Sequence, residues 1–445
     1  MRALNRNKGA FVLGLLTLAI LSFSFQKNPV PFQGINFGDQ SFTSPRAELP
    51  YVEGQILVKF KPSLPLIRKA AALVAYQLRA VNKISGLDVY IAQIPEKATV
   101  EEIVYAMNRN PDVEYAEPNY TGTIAVTPND FFFRLQYALS NIGQEVGSIP
   151  GSPQGKPSCD IKAPSAWEET KGKENVVIAI CDTGVDLTHP DLKNKLKNSG
   201  RDVVNNDFDA TDDNGHGTAV AGIAGAETNN NEGIAGVAWK CKILPVKVAA
   251  KDGTFDMAKI SEGIKWAADN GADVINLSLQ SNAASQTLRD ALSYAYDKNI
   301  VIVAAAGNSG AAVTYPAAYD SYCLAVAATD YNDARWPSSN YGSEIDVAAP
   351  GVKIYSTAPQ WLVGADQVPY KFWDGTSMAA PHVAGLAALI KSIKPWLKAS
   401  EIMDIIRYSA DDVNADKYPG KDEYIGYGRI NMEKALVPLK ITKKE

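Results

Sequence analysis

Residues 175–186 of this 445-residue chain read NVVIAICDTGVD. After Asn175, residues 176–181 are apolar without interruption, as expected of a strand that is buried on both faces of a sheet. An uninterrupted apolar run also occurs at residues 300–306, and mainly apolar runs occur at residues 243–248 and 273–279. Helical patterns lie between these runs, at residues 258–270 and 286–299. Strands that alternate with helices form a parallel sheet with helices on both faces, so we predict an α/β fold for this part of the chain.

Three polar segments are placed where such a sheet binds its ligands, at the carboxyl ends of the strands. Asp182 directly follows the buried run, His216 lies between two glycines at a predicted helix start, and Ser377 begins an Ala-rich helix. A serine hydroxyl needs an imidazole base to become a nucleophile, and the imidazole needs a carboxylate to fix its tautomer. The chain order Asp, His, Ser is one of the orders in which such triads occur.

These three segments, read as ICDTGVD, NGHGT and GTSMAAPH, resemble the motifs of the subtilisin-like serine peptidases, and AAAGNSG at residues 304–310 resembles their oxyanion segment. The resemblance implies a subtilisin-like three-layer fold with a mostly parallel central sheet. It also implies a serine endopeptidase that hydrolyses peptide bonds of proteins via an acyl-enzyme. Ser377 would be the nucleophile, His216 the general base and then the general acid, and Asp182 the group that orients His216. The Asn308 amide and the Ser377 backbone N–H would hold the oxyanion.

The same resemblance implies which residues bind the substrate. The set is Ser278, Leu279, Gln280, Ala305, Ala306, Gly307 and Thr314. The family usually has glycine where this chain has Gln280, which makes the rims of the S1 and S4 pockets unusual. Ser309 occupies a position where some relatives carry an acid. We therefore expect an apolar or medium-sized P1 residue, without strong attraction for Lys or Arg.

A calcium site is implied by two further segments. TNNNEGI at residues 228–234 resembles the calcium loop of thermitase-like members, and TPND at residues 127–130 resembles their mature N-terminus. Calcium prefers six to eight oxygen ligands, and the implied set is Asp130, Asp191 and Asn230 with the carbonyls of Glu227, Glu232 and Ile234. A solvated polar loop is the alternative. A second acidic loop either binds another ion or is solvated; its acids are Asp207, Asp209, Asp212 and Asp213. No organic cofactor is expected.

Residues 51–120 predict a small separate unit. Strand patterns occur at residues 55–60, 87–94 and 113–116, and helical patterns at 66–78 and 100–108. Thr99 and Glu102 have the spacing of a capping box, in which each side chain satisfies a free backbone N–H of the other. The unit resembles the inhibitor-type propeptide of the same family. This resemblance implies an α+β ferredoxin-like domain that acts as an intramolecular chaperone and inhibitor.

The remaining segments predict targeting and processing. Residues 1–26 have a basic flank and an apolar run, which predicts a secretory signal peptide, with an uncleaved membrane anchor as the alternative. We expect a linker at residues 27–50, a processing segment at 121–126, the peptidase domain at 127–440 and a tail at 441–445. Together these features predict a secreted, self-processing enzyme whose mature form is a monomer.

Composition excludes several other classes. The chain has 44 Lys and Arg against 49 Asp and Glu, so it lacks the basic surface of a nucleic-acid-binding protein. Its four cysteines form no CxxC pair, and three full disulfide pairings remain open. A lipase or esterase would require Gly-x-Ser-x-Gly, whereas Ser377 is followed two residues later by Ala379. A binding module built on an inactive peptidase would require a broken triad, and none is visible.

Overall fold

The computed structural model describes residues 51–120, 126–147 and 151–440. The chain divides into two compact units, residues 1–122 and residues 123–445. The predicted signal peptide, the linker and the tail lie outside the described residues, as does most of the processing segment. Within the described ranges, no helix is both long enough and apolar enough to cross a membrane.

The first unit is a four-stranded antiparallel sheet with two helices. Its elements in chain order are β1 (Tyr51–Phe60), α1 (Leu66–Ala75), β2 (Arg79–Ile84), β3 (Val89–Gln93), α2 (Val100–Asn108) and β4 (Val113–Tyr120). The strand order is β2-β3-β1-β4. Apolar residues of β1, β3 and β4 pack against both helices in one core. This arrangement is the expected ferredoxin-like α+β domain, and the Thr99–Glu102 capping box at the start of α2 is confirmed.

The sequence prediction for this unit omitted β2. All six residues of β2 are exposed, so the strand has no buried face and gives no alternating apolar signal. The prediction also extended the first helix to residue 78. The helix ends at Ala75, and Gln77 has a φ of 54°, which lies in the left-handed region and cannot continue an α-helix.

The second unit contains the larger sheet and a separate pair of strands. Its strands are β5 (Val177–Asp182), β6 (Arg201–Asp202), β7 (Lys242–Lys247), β8 (Val274–Leu277), β9 (Val301–Ala305), β10 (Cys323–Thr329), β11 (Ile345–Pro350), β12 (Ile354–Thr357) and β13 (Tyr370–Trp373). Its helices are α3 (Ala163–Glu169), α4 (His216–Gly225), α5 (Met257–Asp269), α6 (Gln286–Asp297), α7 (Gln360–Val363), α8 (Thr376–Ile393), α9 (Ala399–Tyr408) and α10 (Met432–Lys440).

Seven of these strands form one parallel sheet in the order β11-β10-β9-β8-β5-β7-β6. Alternate residues of β5 enter different cores. Ile178 and Ile180 pack on the face that carries α4 and α8, whereas Ala179 and Cys181 pack on the face that carries α5 and α6. Burial on both faces explains the uninterrupted apolar run, and the predicted subtilisin-like three-layer fold is confirmed.

A separate antiparallel pair, β12 and β13, joins residues 354–357 to residues 370–373. Residues 358–369 connect the two strands and include α7. The hairpin packs beside α4, because Ser356 donates a hydrogen bond to the carbonyl of Ala219 and Thr357 donates one to that of Thr218. The connecting loop is therefore held near the start of α4.

Candidate active site

Asp182 and His216 are in direct contact at the carboxyl edge of the sheet. Asp182 is the last residue of β5 and is fully buried, and His216 is the first residue of α4. His216 Nδ1 lies 2.7 Å from Asp182 Oδ1. Burial lowers the pKa of His216, but the charge and the hydrogen bond of Asp182 outweigh this effect, so the pKa is raised from its ordinary value. The pair is therefore arranged to stabilise a cationic imidazole.

Gly217 permits this contact. A Cβ atom at Gly217 would lie 2.1 Å from the carbonyl oxygen of Gly184 and 3.0 Å from Asp182 Cβ. Any other residue at this position would push α4 away from the end of β5. The glycine that follows His216 in the sequence is therefore explained by close packing of helix against strand.

Asp212 organises the segment before His216, a role that sequence reasoning missed. Its buried carboxylate accepts hydrogen bonds from Thr183 Oγ1 at 2.9 Å, from Gly215 N at 2.8 Å and from Thr218 Oγ1 at 2.6 Å. Thr183 Oγ1 in turn accepts from Gly217 N. The expectation that Asp212 binds an ion or is solvated is wrong, because protein donors saturate its carboxylate. The available signal was an acid placed just before a helix start, where negative charge is favourable.

The other members of that acidic loop have different roles. Asp213 forms an ion pair with the buried Lys247, whose Nζ lies 2.6 Å from Asp213 Oδ1. Asp207 and Asp209 each accept a hydrogen bond from a backbone N–H two residues further on, as in an ordinary turn. This loop thus provides structure around α4.

Ser377 is the second residue of α8, and it forms hydrogen bonds with Ser278, the residue that follows β8. Ser377 Oγ donates to the carbonyl of Ser278 at 3.3 Å, and Ser278 Oγ donates to the carbonyl of Ser377 at 2.8 Å. Helix α8 also packs against α4 and β5, the elements that carry His216 and Asp182. The structure therefore brings the three predicted triad elements to one edge. Among the described residues, the hydroxyl of Ser377 is bonded to the carbonyl of Ser278.

Asn308 and Ser377 provide two donors that border the same space. Asn308 Oδ1 accepts from Thr376 N at 2.9 Å and from Thr376 Oγ1 at 2.8 Å, which fixes the orientation of its amide. A Cβ atom built on Gly375 would lie 3.6 Å from both Asn308 Nδ2 and Ser377 N. Two fixed donors at a helix N-terminus are suited to stabilise a developing negative charge. Thr376 was missed by sequence reasoning, although it directly precedes Ser377.

The predicted pocket wall is assembled around the carbonyl of Ala306. That carbonyl accepts from Thr314 Oγ1 at 3.0 Å and from Asn340 Nδ2 at 3.2 Å. Gly307 has a φ of 111°, and a Cβ atom there would lie 2.3 Å from Asn340 Nδ2. The structure therefore places Thr314 beside the segment that follows β9, as expected. Ala305 and Ala306 are buried there, and Asn340 is an additional residue that the sequence did not indicate.

Gln280 links two parts of the predicted substrate site. It follows Ser278 and the buried Leu279, and its Oε1 accepts a hydrogen bond from the backbone N–H of Asn308 at 2.9 Å. Its exposed side chain therefore bridges the segment after β8 and the segment after β9. A glycine at this position could not form that bridge.

The predicted calcium ligands include two buried carboxylates without a cationic partner. Burial raises the pKa of Asp130 to about 6 and that of Asp191 to about 6. Asp130 accepts from Asn229 N at 2.9 Å, and Asp191 Oδ2 accepts from Ile234 N at 2.8 Å. None of the ion pairs among the described residues includes either carboxylate. Both therefore lie beside the 228–234 loop with hydrogen-bond donors but without a cationic partner.

The oxygen ligands expected from the loop fit less completely. Asn230 presents Nδ2 to Asp191 Oδ1 at 3.0 Å, while its own Oδ1 accepts from Glu232 N. A cation between Asp191 and Asn230 would require the amide to rotate by half a turn. No cluster of three or more His, Cys, Asp or Glu side chains in the described part of the chain is placed to hold a metal. A calcium ion here would thus depend on two carboxylates together with amide and carbonyl oxygens.

The remaining histidines and the cysteines are structural. His382 is buried, its Nδ1 donates to the carbonyl of Met378 at 2.8 Å, and burial lowers its pKa to about 4. His189 is also buried, with Nδ1 accepting from Asp191 N and Nε2 donating to the carbonyl of Pro369. All four cysteines are buried and unpaired, so none of the possible disulfides forms; they are Cys159, Cys181, Cys241 and Cys323.

The fold and the arrangement of these residues are those of a serine peptidase. The model of the subtilase family matches residues 173–428, and the model of the fervidolysin N-terminal prodomain matches residues 40–119. The chain belongs to the subtilase family.

Similar proteins agree with this assignment. The chain is 42% identical over 388 residues to a thermophilic serine proteinase of Bacillus sp. (strain AK1), covering 87% of this chain and 88% of that protein. It is 46% identical over 277 residues to thermitase of Thermoactinomyces vulgaris, covering 62% of this chain and 93% of thermitase. A solved protease of Pseudoalteromonas arctica PAMC 21717 superposes with a TM-score of 0.60 at 32% identity, covering 71% of this chain and all of that one.

Proposed function

We propose that this subtilase is a secreted, self-processing endopeptidase that hydrolyses peptide bonds of proteins through Asp182, His216 and Ser377. The observation that carries the proposal is the 2.7 Å contact between Asp182 and His216. This contact lies at the edge of the sheet where α8 begins. At that edge, Asn308 Nδ2 and the backbone N–H of Ser377 border one space. The mature enzyme acts as a monomer.

In the proposed mechanism, Ser377 Oγ attacks the substrate carbonyl while His216 accepts its proton. In this step the hydroxyl exchanges its hydrogen bond to the Ser278 carbonyl for one to the imidazole. Asp182 holds the imidazole and stabilises its cationic form. Asn308 Nδ2 and the Ser377 N–H donate to the oxyanion. His216 then protonates the leaving amine, and a water molecule hydrolyses the acyl-enzyme by the same steps in reverse.

We assign the P1 side chain to the pocket beside Ala305, Ala306 and Gly307, with Thr314 at its base. Thr314 is buried and is held by the Ala306 carbonyl, so it shortens the pocket in a fixed position. Gln280 closes one side of the entrance through its bond to Asn308. These features support a preference for apolar or medium-sized P1 residues, and substrate backbone would pair with residues 278–280.

Calcium is proposed as a structural ion at Asp130, Asp191 and Asn230, with carbonyls of Glu227, Glu232 and Ile234 completing its ligands. When bound, it would supply positive charge between carboxylates from distant parts of the sequence. Gly233 supports the close packing required there, because a Cβ atom at this residue would lie 1.8 Å from Asp191 Oδ2. The ion would then tie the start of the catalytic unit to the 228–234 loop.

We propose that residues 51–120 act as an inhibitor and folding aid until they are removed near Ala125 and Val126. The matched prodomain supports this role. If the chain processes itself, Ser377→Ala accumulates full-length precursor. Processing of that variant at the normal rate, seen by N-terminal sequencing, would assign maturation to another protease. The apolar run at residues 10–25 supports export.

The proposed activity is tested by casein hydrolysis with the full chain and two serine variants. Ser377→Ala should abolish hydrolysis, because it removes the nucleophile. Ser343→Ala changes an exposed serine between β10 and β11 and should retain full activity. Casein hydrolysis that survives in Ser377→Ala would reject the mechanism. A protein that hydrolyses small esters but no peptide would favour an esterase.

A further inference from the structure

A cavity of about 460 Å³ opens beside the start of α4, outside the site assigned above to the P1 residue. Its walls come from the segment after β5 and from the loop at residues 358–369. The side chains that matter here are those of Asp186, Thr188, Thr211 and Trp361. The volume is sufficient for one large side chain, so the question is what chemistry these walls would accept.

The loop wall is an organised structure. Gln360 Nε2 donates to the carbonyls of Gly364 at 2.6 Å and Gln367 at 2.7 Å, which closes the loop on itself. At its base, the ring of His189 donates to the carbonyl of Pro369 at 2.9 Å. Trp361 is held on this framework and is nevertheless 56% exposed. An aromatic ring fixed at the mouth of a cavity is available to a ligand.

The loop also lies next to the catalytic histidine. A Cβ atom at Gly215 would lie 2.7 Å from Leu362 Cδ2, and Gly215 directly precedes His216. In the proposed mechanism His216 protonates the leaving amine, so the leaving part of the substrate lies next to His216. The residues assigned to P1 belong instead to the ends of β8 and β9. The cavity is thus placed for a residue on the carboxyl side of the scissile bond.

The walls favour a long basic side chain. Among the described residues Asp186 takes part in no ion pair, and its Oδ1 accepts from Thr188 N and Thr188 Oγ1. The Asp212 carboxylate also borders the cavity but is saturated by protein donors. A Lys or Arg side chain could place its methylene groups on the Trp361 ring and its charge near Asp186. Contact of a cation with an indole face adds to the attraction.

We propose that this cavity is a subsite for a Lys or Arg residue on the leaving-group side of the scissile bond, formed by Asp186 and Trp361. The inference rests on the proposed peptidase function and deepens it. The enzyme would therefore select an apolar residue before the cleaved bond and a basic residue after it.

The test uses internally quenched peptides with one common acyl half that ends in Leu. In separate peptides, each of the first few positions after the scissile bond carries Arg, Gln or Glu. We expect kcat/KM for Arg to exceed that for Glu by about tenfold at one position. In Asp186→Asn and in Trp361→Ala this ratio should fall towards one. Rates are normalised to hydrolysis of a peptide p-nitroanilide, which has no residue after the cleaved bond.

Trp396→Ala is the matched control, because Trp396 is 70% exposed and lies between α8 and α9. It should keep the wild-type ratio of Arg to Glu. A wild-type ratio near one at every position would overturn the proposed subsite, as would a ratio unchanged in both Asp186→Asn and Trp361→Ala. Hydrolysis of the p-nitroanilide would show in either case that the peptidase function itself stands. Failure of the wild type to cleave any substrate would overturn both proposals.

Discussion

The catalytic unit contains two groups of buried aspartates that differ in their partners. Asp182 contacts His216, and Asp212 is saturated by hydroxyl and backbone donors at the start of α4. Asp130 and Asp191 are buried to a similar degree, but amide N–H groups are their main donors, and burial raises the pKa of each to about 6.

The difference shows that burial of a carboxylate does not define its role. At the catalytic edge, protein donors provide the compensation that an ionised carboxylate needs for both oxygens of Asp212. Asp182 Oδ1 is bonded to His216 and to the backbone N–H of Thr183, whereas Asp182 Oδ2 has no partner among the described residues. At Asp130 and Asp191 that compensation is partial. These two groups must take up protons or a cation to avoid the cost of buried charge. In the proposed mechanism the first group serves the chemistry, whereas the second is expected to make stability depend on pH and on bound cations.

The largest effect is expected for Asp182→Asn. The amide cannot stabilise the imidazolium and favours the wrong imidazole tautomer, so kcat should fall by about 10⁴-fold. Steady-state kinetics with a peptide p-nitroanilide measures this change. A control variant, Asp191→Asn, should retain nearly normal kcat at a temperature where it is folded. Equal losses of kcat in the two variants would remove the distinction between the two groups.

A smaller loss is expected for Asn308→Ala, which removes one of the two donors beside Gly375. Removal of one oxyanion donor typically costs about 10²–10³ in kcat with little change in KM. Thr376→Val should lower kcat by less, because it removes one of the two hydrogen bonds that orient the Asn308 amide and leaves the amide in place. An Asn308→Ala enzyme with normal kcat would show that the donor is not used.

Chelation should lower the melting temperature in a pH-dependent way. The folded-state pKa values of Asp130 and Asp191 are raised to about 6, so without a cation their contribution to stability is most favourable below the unfolded pKa of about 4. That contribution is lost as the pH rises through about 6. Chelation should therefore lower the melting temperature by roughly 5–10 °C near pH 8 and by much less near pH 5.

Differential scanning calorimetry of the Ser377→Ala chain measures this effect without self-digestion. In Asp130→Asn/Asp191→Asn the response to chelation should disappear, because the buried charges are absent. A response of the same size near pH 5 and near pH 8 would contradict the account of these two carboxylates.

The smallest effect is expected at Gln280. Gln280→Gly removes both the bridge to Asn308 and the bulk at the entrance of the pocket, and should raise kcat/KM for large P1 residues by a few-fold. Gln280→Met keeps the bulk without the acceptor, so it separates the two contributions. A P1 profile unchanged in both variants would show that the bridge does not affect substrate choice.

The sequence predicted the fold well where a local pattern has one physical cause. Uninterrupted apolar runs marked the strands buried on both faces, and the Thr99–Glu102 spacing marked a helix start. It omitted β2, which has no buried face. Register and strand order depend on contacts between distant segments, so they could not be read from these patterns.

At the site, the triad and Asn308 could be named because each lies in a distinctive local motif. Asn340 and Thr376 could not, because their importance arises from hydrogen bonds that form only after folding. Asp212 had one signal, its place just before a helix start, but its hydrogen-bond donors are brought together only by folding. Asp212 also shows why composition misleads. The sequence of an acidic loop does not reveal which of its carboxylates accept hydrogen bonds from protein groups after folding. The 358–369 loop has no such motif at all.

The most direct test of the central claim is to react the processed enzyme with a peptidyl phosphonate and locate the adduct by mass spectrometry. Asp182, His216 and Ser377 acting together predict a single adduct on Ser377, formed at a rate that falls sharply in His216→Ala. Because this variant would not process itself, its prodomain is first removed with an added protease. An adduct on another residue, or labelling of Ser377 at the wild-type rate in His216→Ala, would contradict the account.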